Sequence, residues 1–284
     1  MQLGFIGLGH LGAAIAGRLV ACGHTLTTWN RSEGRGANLE HTPAPSPKAV
    51  AQAADLIFLC LFDSKAVDDV LNDENGLLRG DLTGKTVIDL TTNHYKEVDR
   101  FHALCKESGA SYLESPVLGS VVPATNGALT VVVSGEQAAY ESVKPLLENI
   151  GQNIFFLGAP GQATKMKLVN NLALGSIMAT IAESVAMGEA AGIDKADILD
   201  ILAVGGGKSL VLDAKKQKLL DEEFSTHFSN ALIYKDLHCL QDLAYELKKP
   251  LVTGAAVKEL FARTFEEGIE NEDFAAVYSL FKKK

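Results

Sequence analysis

The chain has 284 residues, of which 47% are hydrophobic and 21% charged, and a formal net charge of −9. Such a length and composition are typical of a globular protein with one or two domains and a sizeable core. The negative charge argues against nucleic acid or an anionic membrane as the main partner. Four dispersed cysteines, without a CxxC pair or a Cys/His cluster, predict neither disulfides nor a metal site. Because the chain shows no basic leader and no long apolar run, we predict a cytoplasmic protein.

A glycine-rich turn between a strand and a helix is the sharpest signal near the N-terminus. An apolar strand over residues 3–6 precedes the turn, and an Ala-rich helix to about residue 22 and a second strand over 24–29 follow it. In such a turn the glycines permit a tight bend and close approach of a pyrophosphate, and the helix N-terminus attracts phosphate. The alternative, a glycine-rich turn without a ligand, is disfavoured by the flanking strand and helix. We therefore predict that a dinucleotide binds the turn formed by Gly7, Leu8, Gly9, His10, Leu11 and Gly12.

The residues after the second strand indicate which dinucleotide binds. NAD sites usually have Asp or Glu there, whereas this chain has Asn30, Arg31 and Ser32. An Asn side chain does not repel a 2′-phosphate, and an Arg guanidinium can pair with it. The pattern favours NADP over NAD. The alternative for Arg31 is an ordinary solvated loop residue.

From residue 46 to residue 157, apolar strands alternate with helices. Strands are predicted over residues 56–61, 86–90, 127–134 and 153–157 and from residue 112, and helices over 49–54, 64–71, 95–109 and 137–150. This alternation predicts a Rossmann-type, doubly wound, mostly parallel sheet with helices on both faces. Because ligands bind at the carboxyl ends of such strands, we predict that Leu61, Thr91 and Thr92 contact the cofactor. Each of the three, taken alone, also fits a structural role.

A loop with a Gly-Ser pair follows the strand that begins at residue 112. Gly119 and Ser120 offer backbone N–H groups and one hydroxyl, which suit a carboxylate. An ordinary turn would have the same composition. We predict a small carboxylated molecule as the substrate.

The strand pattern ends near residue 160, and helical patterns continue to the C-terminus. We predict a dinucleotide-binding domain over residues 1–160 and an all-α substrate domain over 161–284, joined by a long helix over 163–192. Its polar and charged residues argue against a membrane span. Later helices are predicted over residues 195–203, 210–218, 231–247, 251–267 and 272–282.

Two residues at the start of the long helix are the candidate catalytic pair. Lys167 and Asn171 are four residues apart, so they share one face of the helix and can reach one small molecule. The alternative for Lys167 is an exposed helix lysine, a description that also fits Lys165. The position at a loop-to-helix junction favours catalysis.

These motifs resemble those of the β-hydroxyacid dehydrogenases, the family of 3-hydroxyisobutyrate dehydrogenase and the glyoxylate/succinic semialdehyde reductases. The resemblance covers essentially the whole chain, through residues 7–12, the substrate loop 114–120, the catalytic helix 161–171 and a Lys-Asp-Leu segment at 235–237. It implies that Lys167 is the general acid/base, that Asn171 orients the substrate and that Lys235 lies by the nicotinamide and the substrate. It further implies a C-terminal domain like that of 6-phosphogluconate dehydrogenase, and a homodimer or homotetramer.

The chain departs from the family pattern at two positions. Leu118 stands where the substrate loop usually has Ser, and Ala163 replaces the second glycine of the catalytic helix. We predict hydride transfer between NADP(H) and a small hydroxy acid, aldehyde or oxo acid, with Leu118, Gly119, Ser120 and Lys235 at the substrate. The alternatives are an imine reductase-like enzyme, which generally lacks the lysine, and a catalytically silent cofactor-binding homologue.

Overall fold

The structure, a computed structural model, describes residues 2–282. The chain divides into two compact units, of which one ends at Lys167 and the other begins at Leu168. The division falls within a single long helix, after the last strand has ended at Phe156. Each unit has its own hydrophobic core.

Within the described residues, nine strands of the first unit form one sheet. They are β1 (Gln2–Ile6), β2 (Thr25–Trp29), β3 (Thr42–Pro43), β4 (Leu56–Leu59), β5 (Thr86–Asp89), β6 (Ser111–Glu114), β7 (Val117–Leu118), β8 (Leu129–Gly135) and β9 (Gly151–Phe156). The order is β3-β2-β1-β4-β5-β6-β8-β7, and β9 pairs with β8. Only β8 runs antiparallel to its neighbours β6 and β7, while the other pairs are parallel. The predicted Rossmann-type, mostly parallel sheet is confirmed.

Helices cover both faces of the sheet. They are α1 (His10–Ala21), α2 (Pro47–Ala53), α3 (Ser64–Asn72), a 3₁₀ turn (Leu77–Arg79), α4 (Tyr95–Glu107), α5 (Val121–Thr125) and α6 (Gln137–Leu147). Successive residues of a strand point to opposite faces, and β4 accordingly places Phe58 in one core cluster and Ile57 and Leu59 in another. Burial on both faces explains why the central strands are apolar throughout.

The short helix α5 is absent from the prediction. It ends at Thr125, and Gly127 follows with a φ of +66°, which reverses the chain before β8. The strand predicted over residues 127–134 therefore begins at Leu129.

The second unit is helical, as predicted. Beyond α7 (Gln162–Ala190) it contains α8 (Lys195–Val204), α9 (Leu210–Asp221), α10 (Asn230–Glu246), α11 (Val252–Glu266), a 3₁₀ helix (Phe274–Tyr278) and α12 (Ser279–Lys282). The continuous helix predicted over 272–282 is wrong. Oδ2 of Asp273 accepts hydrogen bonds from Nζ of Lys215 at 2.8 Å and from the backbone N–H groups of His227 and Phe228. These contacts fix the chain at Asp273, and a 3₁₀ helix begins at the next residue.

By length and composition alone, α7 is the one helix of the described chain that could cross a membrane. Its residues Met178, Ile181 and Val185 are buried in the hydrophobic core of the second unit. A core helix of a globular domain passes the same length and composition test, and the packing of α7 is that of such a helix.

Candidate active site

The glycine-rich turn has the geometry that a dinucleotide needs. Gly7 has a φ of +100°, and a Cβ atom there would lie 2.2 Å from the carbonyl oxygen of Cys60. At Gly12 a Cβ atom would lie 2.0 Å from the carbonyl oxygen of Gly7. A Cβ atom at Gly9 would meet nothing within 4 Å, so the backbone there borders open space. Because no side chain caps α1 at Gly9, its first N–H groups suit an anion.

Asn30 joins this turn to the loop after β2. Its Oδ1 accepts the backbone N–H of Leu8 at 2.8 Å, and its Nδ2 donates to the carbonyl oxygen of Ser32 at 2.8 Å. A carboxylate could make the first bond but not the second, since it has no proton to donate. The amide therefore holds the loop without placing a negative charge in it.

A cleft of about 800 Å³ opens beside the turn in the first unit. A dinucleotide fits this description: the cleft has open space at its glycine, uncapped helix N–H groups and two arginines. Arg35 is a lining residue that the sequence prediction missed, although its position four residues after Arg31 was a usable signal. The predicted cofactor residues that line the cleft are Gly7, Gly9, Asn30, Arg31, Ser32 and Leu61.

The other predicted cofactor residues are not among those that line this cleft. Leu8 is buried in the core, and Leu11 packs against it. His10 is exposed at the start of α1, and Thr92 is half-buried after β5. Lys235 belongs to the second unit.

A buried carboxylate organises the carboxyl ends of β4 and β5. Asp89 accepts hydrogen bonds from the backbone N–H of Thr91 at 2.9 Å, from Nδ2 of Asn93 at 2.7 Å and from the hydroxyl of Tyr112. The hydroxyl of Thr91 in turn accepts the backbone N–H of Leu61 at 3.0 Å. Burial raises the pKa of Asp89, and these hydrogen bonds act against the rise. An acidic residue in an otherwise apolar strand was the sequence signal for this network.

The predicted substrate loop contains one constrained glycine. Gly119 has a φ of +124°, and a Cβ atom there would lie 2.8 Å from Cδ2 of Leu129, so the position requires glycine. Ser120 precedes α5, and its side chain does not cap that helix. Leu118 lies on β7, is half-buried and pairs with Thr130 of β8.

Lys167 is buried, with 6% of its surface exposed. Its Nζ donates a hydrogen bond to the carbonyl oxygen of Val117 at 2.9 Å. The alternative interpretation as an exposed helix lysine is therefore wrong. Lys165 is half-buried. An ammonium taken out of water is costly unless it is paired, and such groups are enriched at functional sites.

Asn171 has its partners in the second unit. Its Nδ2 donates to Oδ2 of Asp236 at 2.6 Å, and Nζ of Lys235 lies 2.9 Å from Oδ1 of the same carboxylate. Asn171 and Asp236 are both buried. Asp236 is thus a bridging residue that the sequence prediction read only as part of a motif.

The residues 2–282 contain no group of three or more His, Cys, Asp or Glu side chains placed to hold a metal ion. The candidate residues in the two units supply ammonium, amide, carboxylate and backbone N–H groups instead.

The fold and the cleft together define a dinucleotide-binding protein of the Rossmann class. The family model for the NAD binding domain of 6-phosphogluconate dehydrogenase matches residues 2–158, and the model for the NAD-binding domain of NADP-dependent 3-hydroxyisobutyrate dehydrogenase matches residues 161–281. The chain belongs to the β-hydroxyacid dehydrogenase family, whose members are NAD(P)-dependent oxidoreductases.

Relatives in this family have diverse names. The chain is 34% identical to the mouse cytokine-like nuclear factor N-PAC over 99% of its length, and it spans about half of that protein (51%). It is 32% identical to 2-hydroxy-3-oxopropionate reductase of Escherichia coli, covering 98% of this chain and 96% of the reductase. The solved structure of Psf3 in complex with NADP+ and 2-OPP is similar with a TM-score of 0.91 and 29% identity, covering 98% of this chain and 99% of Psf3.

Proposed function

We propose that the protein transfers hydride between NADP(H) and a small hydroxy acid or the corresponding aldehyde or oxo acid, with Lys167 as the general acid/base. The observation that carries the proposal is the burial of Lys167 with its Nζ on the carbonyl oxygen of Val117. That carbonyl lies within the predicted substrate loop 114–120, directly before Leu118, so the ammonium is held at the segment that would bind substrate.

The cofactor, when bound, supplies the hydride to the carbonyl carbon. Lys167 holds a proton on Nζ and transfers it to the carbonyl oxygen during reduction, or takes it back during oxidation. Gly119 and Ser120 offer N–H groups and a hydroxyl to the substrate carboxylate. Asn171 orients the reacting oxygen, and Asp236 fixes the Asn171 amide. We assign to Lys235 a place beside the nicotinamide and the substrate, which rests on the family resemblance.

NADP is the cofactor we propose, with NAD as the alternative. Arg31 and Arg35 line the cleft, and Asn30 occupies the place where a carboxylate would bind the ribose of NAD. A guanidinium pairs with the 2′-phosphate through two parallel hydrogen bonds. The similar structure of Psf3, solved with NADP+, supports the same choice.

A substrate panel tests the proposal. Glyoxylate, succinic semialdehyde and methylmalonate semialdehyde are each supplied with NADPH and with NADH, and the loss of reduced-cofactor absorbance is followed. We expect turnover of at least one carboxylated aldehyde, with NADPH preferred. Cyclic imines are added to the panel, and turnover of imines alone would replace the proposal with the imine reductase alternative.

The catalytic assignment is tested by Lys167→Ala, with Lys165→Ala as the matched control two residues away. General acid/base catalysis contributes roughly 10²–10⁴-fold, so Lys167→Ala should lose turnover by about that factor while NADPH still binds. Lys165→Ala should keep its turnover. A Lys167→Ala variant with near-normal turnover would refute the role of this lysine.

A second candidate function is cofactor binding without turnover. The similarity to N-PAC, which is named a nuclear factor, and the presence of Leu118 in place of the usual Ser favour it. The buried pair of Lys167 and Asn171 supports catalysis instead. Tight NADPH binding with no turnover of any substrate on the panel would support this second function over the first.

A further inference from the structure

Glu114 is a buried carboxylate that contacts the helix carrying Lys167. It ends β6 and has 1% of its surface exposed. Its Oε1 accepts the backbone N–H of Gly161, and its Oε2 accepts the backbone N–H of Thr164 at 3.0 Å together with the Thr164 hydroxyl. The hydroxyl of Ser134 accepts the next N–H group, that of Ala163, at 3.0 Å. The first turn of α7 is therefore capped by β6 and β8.

The local sequence explains why a distant residue supplies this cap. The first N–H groups of a helix have no partner within it, and a Ser, Thr, Asp or Asn just before the helix usually accepts them. Before α7 the chain reads Ala159, Pro160 and Gly161, none of which has a side-chain acceptor. Glu114, which is 47 residues from Gly161 in sequence, takes that place with its carboxyl group. A carboxylate at a helix N-terminus also interacts favourably with the helix dipole.

The Glu114 cap and the hydrogen bond of Lys167 join the same two segments, residues 114–117 and the start of α7. Glu114 binds α7 at Gly161 and Thr164, and three residues after Glu114 the carbonyl of Val117 accepts Nζ of Lys167. Lys167 comes three residues after Thr164 on α7, which is slightly less than one helical turn. Any shift of the helix start against β6 therefore moves the ammonium relative to the substrate loop.

We propose that Glu114 is the positioning residue for Lys167 and that it acts by fixing the start of α7 against β6. This inference rests on the proposed function of Lys167. Both carboxylate oxygens of Glu114 accept hydrogen bonds. A Gln side chain has only one acceptor oxygen, so its NH₂ group would face the N–H donor of Gly161 or Thr164 without an acceptor between them. Burial raises the pKa of Glu114, whereas its hydrogen bonds from Thr164 and Gly161 act in the opposite direction.

The experiment compares Glu114→Gln with Glu136→Gln. Glu136 is the control because it precedes α6 in the same unit, is exposed, and does not cap its helix through the side chain. The substrate is the carboxylated aldehyde that the wild-type protein reduces. We measure kcat, KM, NADPH affinity and hydrogen exchange of the first turn of α7. Glu114→Asp, which retains the charge, tests rescue.

For Glu114→Gln we expect a loss of kcat of about 10- to 100-fold, since small misplacements of a reacting group cost up to about 10²-fold. Exchange of the Gly161 and Thr164 amides should accelerate. NADPH affinity should stay within about twofold, because the cap lies outside the cleft lining. Glu114→Asp should recover part of kcat, and Glu136→Gln should match the wild type.

Two results would overturn the inference: a Glu114→Gln kcat close to that of the wild type, or a loss of kcat accompanied by an equal weakening of NADPH binding. If Glu114→Gln fails to fold, Thr164→Ala and Thr164→Ser decide, because Ala removes the hydroxyl that donates to Glu114 and Ser retains it. Thr164→Ala should lower kcat severalfold and Thr164→Ser should restore it, whereas an unchanged Thr164→Ala overturns the inference. Normal turnover of Lys167→Ala would instead mark failure of the proposed function itself.

Discussion

Asn171 donates a hydrogen bond from Nδ2 to Oδ2 of Asp236 at 2.6 Å, and both side chains are buried. The same carboxylate lies 2.9 Å from Nζ of Lys235 through its other oxygen. One acidic residue thus holds two of the residues proposed to contact substrate. Their arrangement depends on Asp236 being charged, because a neutral amide cannot accept from both neighbours equally well.

Replacing Asp236 by Asn should therefore lower kcat/KM. Hydrogen bonds to charged groups contribute about 1.5–3 kcal/mol, so the transition state should lose a comparable amount and kcat/KM should fall by about 10- to 100-fold. Initial rates with the reduced aldehyde measure the loss. Asp197→Asn, at an exposed position on α8, is the matched control and should behave as the wild type. Equal kcat/KM values for the two variants would contradict the role of Asp236.

Substitutions at Gly7 and Gly9 should separate folding from cofactor binding. Gly7→Ala places a Cβ atom 2.2 Å from a backbone oxygen at a positive φ, and we expect a loss of stability of roughly 1–3 kcal/mol or more. Gly9→Ala meets no atom within 4 Å, so the fold should be retained, while the new methyl group occupies the space for the pyrophosphate and NADPH binding should fall. Denaturant unfolding and NADPH titration measure the two effects. Unchanged NADPH affinity in Gly9→Ala would show that the dinucleotide does not bind this turn.

The parts of the fold that follow from local patterns could be predicted from the sequence. Alternating apolar strands and helices gave the sheet, and the glycine spacing gave the turn that borders the cleft. The contacts of the buried carboxylates Glu114 and Asp236 could not be found in that way, because their partners lie far along the chain: 50 residues separate Glu114 from Thr164, and 65 separate Asn171 from Asp236. Spacing rules detect neighbours within a helix or a strand, whereas these contacts depend on which elements pack together.

Arg31 and Arg35 should set the preference between NADPH and NADH. Each guanidinium that pairs with the 2′-phosphate adds a charge-assisted hydrogen bond, so Arg31→Ala and Arg35→Ala should each weaken NADPH binding by about tenfold or more. NADH has no 2′-phosphate, and its affinity should change little. Cofactor titrations at low and high salt measure both effects, because screening should reduce the NADPH preference of the wild type. Arg79→Ala, outside the cleft lining, is the control. Parallel losses of NADPH and NADH affinity would exclude specific recognition of the phosphate by these arginines.

Leu118 should determine how polar a substrate the loop accepts. It stands where the family usually has Ser, and its half-buried side chain follows Val117, whose carbonyl accepts Nζ of Lys167. Leu118→Ser adds a hydroxyl donor, and we expect a lower KM for glyoxylate at little change in NADPH affinity. Leu118→Ala removes the same apolar bulk without adding a hydroxyl, so it separates the gain of a hydrogen bond from the gain of space. If both variants lower KM equally, steric relief explains the effect, and if neither changes KM, residue 118 lies outside the substrate contacts. Since a half-buried Leu contributes only about 1 kcal/mol through burial, both variants should remain folded, and the KM comparison reports on the site itself.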